Sequence, residues 1–313
     1  MPVVAVLAVN RRCNSRCTYC GVWADEQPDP PLSDVLAAVD QFAAIGVALV
    51  GLTGGEPLLR SDLEAIVSHA KGVGLRVTVT TNGILATEER IRSLADAGLD
   101  ALSFSLDTLD PEAYHSLRGI PIDGVLAGIE SARGAESGMV IGVTAVVSDS
   151  GAEHMVSLGE YCLERNLLLG LTPLHTDHGV GAVSGSSAER GRGLPVSFSR
   201  VRELIERGLR FPNSARYLDG LEDLLLSRGR PAILGCRGAE RTLSVGADGA
   251  IHVCPYMPSV GSADEGGIAA FWGSDEHRQM HARMMSGACA GCWHSYRADD
   301  YGPEWVESWF AGT

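Results

Sequence analysis

The sequence predicts an α/β protein: an open, partial (β/α)6 barrel followed by a small hairpin-plus-helix unit. Three observations lead there. Apolar runs rich in Val, Leu and Ile alternate with amphipathic segments through residues 1–175. The alternation then stops at a stretch rich in Gly and Ser, 176–197. Seven of the eight cysteines fall into two tight groups, one on each side of that break.

The elements follow in order. Strands are predicted over 3–9, 47–52, 75–80, 100–106, 140–147 and 167–172, with helices between them over 33–45, 61–72, 87–97, 123–134 and 152–165. Strands separated by helical segments of this length make parallel pairs with crossover helices, and chemistry gathers at the C-terminal strand ends. Residues 176–197 read as a loop without periodicity, a lid or a linker. Helices are predicted near 198–209 and 215–228, and "RTLSVGADGAIHVCP" reads as a hairpin turning at "GADG". A last helix near 275–285 leads into "GACAGCWH". The division is 1–175 for the barrel, 176–234 for the loop and linking helices, and 235–313 for the hairpin unit and tail.

Bulk properties narrow the function. A chain of 313 residues with 45% hydrophobic and 20% charged residues can bury a large core. No apolar run reaches the length of a membrane span, and the apolar start lacks a basic region before it, so the reading is a cytoplasmic protein without a membrane partner. The net charge of −14 argues against nucleic acid and is compatible with a cationic small molecule. In a reducing compartment the cysteines read as metal ligands rather than disulfides.

The first group is Cys13, Cys17 and Cys20, directly after the first strand. A four-iron cluster takes four thiolates, so C-x3-C-x2-C leaves one iron open for a small molecule. The alternative is zinc with a distant fourth ligand, although zinc sites usually pair two C-x2-C units or add histidines, and none lies nearby.

"CNSRCTYC" after strand one, "TGGEP" after strand two, "TTNG" after strand three and "SLD" at the end of strand four occur in order. Together they resemble the radical S-adenosylmethionine (SAM) superfamily, over about residues 3–175. The resemblance implies a [4Fe–4S] cluster whose open iron binds SAM, and cleavage of SAM to a 5′-deoxyadenosyl radical. It implies SAM contacts from Gly54, Gly55 and Glu56, adenine contact from Tyr19, ribose or methionine contacts from Ser105 and Asp107, and carboxylate contact from Arg118. The glycines lack Cβ and admit close backbone approach, and Glu56 can accept from an ammonium. Each has a plainer reading too: "GGEP" as a turn, and Asp107 as a helix cap.

The second group is Cys236, Cys254, Cys289 and Cys292, in the order cysteine, hairpin, cysteine, helix, C-x2-C. This resembles the twitch domain, the short form of the SPASM domain of radical SAM enzymes, and implies a second [4Fe–4S] cluster with no ligand missing. A structural zinc ribbon is the alternative, and His252 and His294 stand beside the ligands. Cys162 remains, on a helix predicted outside the barrel, where a packing role is expected.

Twitch enzymes of this size include dehydrogenases and epimerases of aminoglycoside sugars and cyclitols. With one unassigned cysteine, poorly placed to return a hydrogen atom, oxidation of a carbinol to a ketone is the expected outcome. His175, after strand six, is the candidate base, chosen for its position and its ordinary pKa near neutrality. A small cationic amino sugar is the expected substrate, and flavodoxin or ferredoxin the expected electron donor. Epimerisation, peptide modification and a non-enzymatic iron–sulfur carrier are the alternatives. The carrier would have no use for "GGEP" or "SLD".

Overall fold

A computed structural model describes residues 2–24, 27–135, 137–148, 152–174, 194–227, 236–254, 257–286 and 302–310. The elements are β1 (Val4–Ala8), α1 (Leu32–Ala44), β2 (Leu49–Thr53), α2 (Leu63–Gly72), β3 (Arg76–Thr81), α3 (Glu88–Asp96), β4 (Ala101–Ser105), α4 (Pro111–Arg118), α5 (Ile122–Gly134), β5 (Val140–Val147), α6 (Ala152–Glu164) and β6 (Leu168–Pro173). After these come α7 (Leu194–Glu206), α8 (Ala215–Ser227), α9 (Gly238–Arg241), β7 (Thr242–Val245), β8 (Ala250–His252), β9 (Gly261–Ser262), α10 (Gly267–Phe271), α11 (Asp275–Met285) and α12 (Pro303–Phe310).

Among the described residues the strands form one sheet in the order β6-β5-β4-β3-β2-β1-β7-β8-β9. β1 to β6 are parallel to their neighbours. The sheet does not close: β6 and β9 are its edges. The hairpin strand β7 pairs with β1 in parallel, so it extends the same sheet, and β8 and β9 add to it antiparallel. Pairing of β7 with β1 joins residues far apart in the chain, which local periodicity cannot reveal.

Local chemistry sets the boundaries. Thr87 accepts from the Arg90 N–H at 3.2 Å and opens α3, with Glu88 and Glu89 in its first turn. Asp110 accepts from Ala113 N–H at 2.7 Å ahead of Pro111, and α4 ends on Gly119 at φ 68°. α7 starts at Leu194, before the expected 198, because Pro195 in the first turn suits a helix start. Its buried Phe198, Val201 and Leu204 face the core. The expected hairpin turns at Gly246–Gly249, with Gly249 at φ 78°. The elements α9, β9, α10 and α12 are too short, or too weakly periodic, to stand out in the sequence.

The core lies between the outer helices and the sheet, with Phe42, Phe104, Tyr114 and Tyr217 fully buried. Each such side chain is worth roughly 1.5–3 kcal/mol of burial. At the N-terminal strand ends, α12 forms a floor. Its Val306 packs on Val3 and Leu49, Trp305 Nε1 donates to the Pro212 carbonyl at 3.1 Å, and Glu307 pairs with Arg76 at 2.9 Å. Above the floor the concave face of the sheet lines an open cavity of about 330 Å3. No described helix is long and apolar enough to cross a membrane.

Candidate active site at the cysteine loop

β1 delivers the chain to the C-terminal rim, and the cysteine loop is fastened there to several distant parts of the chain. Arg60, almost fully buried, donates from Nη1 to the Val9 carbonyl at 2.6 Å and to the Pro30 carbonyl at 2.9 Å. Asn10 Nδ2 donates to the Glu56 carbonyl at 2.7 Å. Arg16 and Thr18 N–H groups donate to the carbonyls of Arg118 and Leu117 at 3.0 and 2.8 Å, tying the loop to the end of α4. Neither Arg60 nor Asn10 stood out in the sequence, because their partners are distant in the chain and no motif marks them.

Cys17 is buried, and Cys13 and Cys20 are half-buried. Burial pushes the Cys13 thiol up to about 11, against the lowering effect of the Ser15 N–H at 3.4 Å, and it raises Cys20 as well. Iron binding at these thiols would therefore release protons. No three His, Cys, Asp or Glu side chains among the described residues converge as a single-ion site. In a cluster of the kind the resemblance implies, each of the three cysteines would hold a different iron.

Gly54 and Gly55 have a tighter reason to be glycine than a visiting ligand. Gly54 has φ 143°, and a Cβ there would lie 2.4 Å from the Asn10 carbonyl oxygen. A Cβ at Gly55 would lie 2.1 Å from the Arg12 carbonyl oxygen. The pair lets strand two's exit lie against the base of the cysteine loop, where Gly55 and Glu56 N–H donate to the Asn10 and Arg12 carbonyls at 3.1 and 2.8 Å. Glu56 is buried. Its Oε1 accepts from Leu58 N–H at 3.0 Å and Thr81 Oγ1 at 2.6 Å, and its Oε2 accepts from Asn82 N–H at 2.6 Å. Burial raises its pKa, and these three donors oppose the rise. One lone-pair site on Oε2 remains open.

Tyr19, Asp107 and Arg118, each expected to contact SAM separately, are joined to one another in the structure. Asp107 and Arg118 form a buried bidentate pair, with Nε and Nη2 at 2.7 and 2.8 Å from the carboxylate. Asp107 also accepts from Tyr19 Oη at 2.8 Å and Val146 N–H at 2.9 Å. All four of its lone-pair sites are used, so direct contact with a ribose would require displacing a donor. Arg118 Nη1 lies 3.9 Å from Cys17 Sγ, and its guanidinium stands 5.5 Å from the Tyr19 ring centroid. Burial and Asp107 raise the Tyr19 pKa, and Arg118 opposes the rise. Ser105 ends β4 on the concave side, and Tyr114 Oη donates to its carbonyl at 3.1 Å.

Cys236 and Cys254 are buried at the two ends of the α9–β7–β8 segment, where Gly238 N–H donates to Cys236 Sγ at 3.4 Å. Cys289, Cys292, His294 and His175 lie outside the described residues. His252 Nδ1 lies 3.3 Å from the Met257 carbonyl. Cys162 is fully buried in α6, as expected of a packing residue, and burial pushes its thiol up to about 12.

Residues 7–156 match the family described as the Radical SAM superfamily. Over 303 residues the chain is 29% identical to an AdoMet-dependent heme synthase of Methanosarcina barkeri, covering 90% of this chain and 85% of that one. It is 35% identical over 176 residues to a GTP 3',8-cyclase of Corynebacterium glutamicum, covering 52% of this chain and 46% of the cyclase. The chain thus spans less than half the length of that cyclase. Among solved structures, Streptococcus suis SuiB bound to S-adenosylmethionine superimposes with a TM-score of 0.71 at 16% identity, covering 97% of this chain and 77% of SuiB. That likeness is one of fold.

Proposed function

We propose that the chain, whose residues 7–156 match the radical SAM superfamily, is a radical SAM oxidoreductase that turns a carbinol carbon of a small hydroxylated substrate into a ketone. The match implies a [4Fe–4S] cluster and SAM. When bound, they supply one electron and a 5′-deoxyadenosyl radical that takes a hydrogen atom from substrate. In this reading Cys13, Cys17 and Cys20 hold the cluster, and the open lone pair of Glu56 receives the SAM ammonium. Ser105 offers a hydroxyl at the strand end. Tyr19 and Arg118 flank the cluster, and Asp107 is the positioning residue that fixes both.

The observation that supports oxidation over epimerisation is the place of Cys162. It lies in the core with no exposed surface, and no cysteine lines the concave face among the described residues. A substrate radical there would lose an electron and a proton rather than take a hydrogen atom from a thiol. A second cluster on Cys236, Cys254, Cys289 and Cys292 would accept that electron, and His175 would take the hydroxyl proton. An aminoglycoside-type sugar or cyclitol is the first candidate substrate, with flavodoxin or ferredoxin supplying the first electron. The described lining of the cavity holds no carboxylate, so amino groups of such a sugar would stay at the rim.

A second reading takes a tetrapyrrole as substrate, because the alignment to the heme synthase runs well past the shared superfamily region, over 90% of this chain. The cavity of about 330 Å3, near the lower limit of small-molecule pockets at about 300 Å3, has room for a single ring of a substrate. The test is anaerobic reconstitution with SAM and separate pools of amino sugars, cyclitols, peptides and tetrapyrroles. Loss of two hydrogens from an amino sugar or cyclitol, without solvent deuterium at the attacked carbon in D2O, supports the first reading. An isomer with one non-exchangeable deuterium supports epimerisation. A mass change confined to a tetrapyrrole or peptide overturns the first reading.

A further inference from the structure

Barrel interiors are normally filled by layers of branched apolar side chains. Here three interior positions are glycine: Gly51 on β2, Gly142 on β5 and Gly170 on β6, all lining the cavity. None of the three has a left-handed φ. A Cβ at Gly51 would meet nothing nearer than Thr78 Oγ1 at 3.4 Å, and one at Gly170 nothing nearer than Thr144 Oγ1 at 3.5 Å. These are ordinary contacts, so neither backbone conformation nor packing requires glycine at 51 or 170. Glycine within a strand weakens it, and it often marks where a ligand comes close. The space it leaves is real: Val6, which pairs in register with Gly51, keeps 38% of its surface exposed on the concave side.

The walls of that space are graded. Around the glycines stands a band of hydroxyls from Thr78, Thr80, Ser103 and Thr144, of which Ser103 and Thr144 bond to each other at 2.7 Å. Below, the floor is mostly apolar, closed by Trp309 and Phe310 of α12, with Pro212 and Asn213 also in the lining and the Trp309 Nε1 donor buried there. No Asp, Glu, Lys, Arg or His lines the cavity among the described residues. A buried charge without a partner costs far more than a buried hydroxyl with neighbours to bond.

We propose that Gly51 and Gly170 keep open a deep subsite between the hydroxyl band and the α12 floor, and that it takes an uncharged ring or short chain bearing a hydroxyl. The subsite deepens the oxidoreductase reading by stating which part of the substrate enters the barrel, and as substrate specificity it rests on that reading. Gly51 and Gly170 determine specificity by volume and touch no reacting atom. The ring's hydroxyl would pair with the band, and its apolar part would rest on Trp309 and Phe310.

The experiment uses the full chain, anaerobically reconstituted, with benzyl alcohol as the uncharged probe and benzylamine as its charged counterpart, both titrated by calorimetry. Wild-type protein is expected to bind one equivalent of benzyl alcohol, and benzylamine at least ten-fold more weakly. The double variant Gly51→Ala with Gly170→Ala should melt at or above the wild-type temperature and bind benzyl alcohol at least ten-fold more weakly. A lowered melting temperature would mean that the glycines serve the fold, and it overturns the proposal. So does equal binding by the variant, preference for benzylamine, or no binding by wild type. Wild-type 5′-deoxyadenosine formation is measured in parallel. Its absence alongside intact probe binding counts against the radical reading alone.

Discussion

The two cysteine groups solve different problems. Cys13, Cys17 and Cys20 share one short loop, and distant parts of the fold brace it: Arg60 from beyond β2, the glycine pair, and the end of α4. Cys236 and Cys254 flank a hairpin that is itself hydrogen-bonded into the main sheet through β1. The first group gathers its thiols locally and is held by long-range contacts. In the proposed reading the second would take two ligands from this sheet-bonded hairpin and need a later segment to complete the set. A loop with three thiolates and bracing from outside can leave a metal position open without collapsing. A set drawn from separated segments can close around its metal.

This contrast can be broken or sharpened by substitution. The largest effect is expected at Arg118→Leu, which leaves the buried Asp107 carboxylate without its bidentate partner. Urea unfolding should show a loss of about 3–5 kcal/mol, with a smaller loss when Asp107→Leu is added. A loss below about 1 kcal/mol would mean that the pair does not brace the loop. Gly55→Ala places a Cβ against the Arg12 carbonyl. It should cost about 1–3 kcal/mol and lower iron loading of the N-terminal group, and normal loading in a stable protein would contradict that.

Changing Cys236 and Cys254 to Ser probes the other region. Iron should fall from about eight to about four per chain, with 5′-deoxyadenosine formation kept. An unchanged iron content, or stoichiometric zinc in the parent protein, would remove the second cluster from the account. The smallest effect is expected at Cys162→Ala, a packing loss of about 1 kcal/mol with iron content unchanged, read by unfolding and iron analysis together.

The six parallel strands were legible because each is a short Val-, Leu- or Ile-rich run between amphipathic helices, and the expected and observed bounds differ by a residue or two. The hairpin was legible from "GADG" and its flanking apolar runs. Its parallel pairing with β1 was not, since nothing local in β7 names a partner hundreds of residues away. The site divides the same way. The cysteine spacing and "GGEP" stand out as motifs, yet the reason for Gly55 lies in the Arg12 carbonyl, and the partner of Asp107 is Arg118 across a loop and a helix. Motifs identify residue types that chemistry needs. They do not say which of those residues hold one another in place.

The central claim is that the braced N-terminal loop presents an iron open to SAM. The most direct measurement is 5′-deoxyadenosine formation by anaerobically reconstituted protein under a strong reductant, comparing wild type with the variant in which Cys13, Cys17 and Cys20 are all Ala. Steady formation is expected from wild type and none from the variant, with the iron of the C-terminal group still bound. Formation by the variant at the wild-type rate, or none by a wild-type protein with its full iron content, would contradict it.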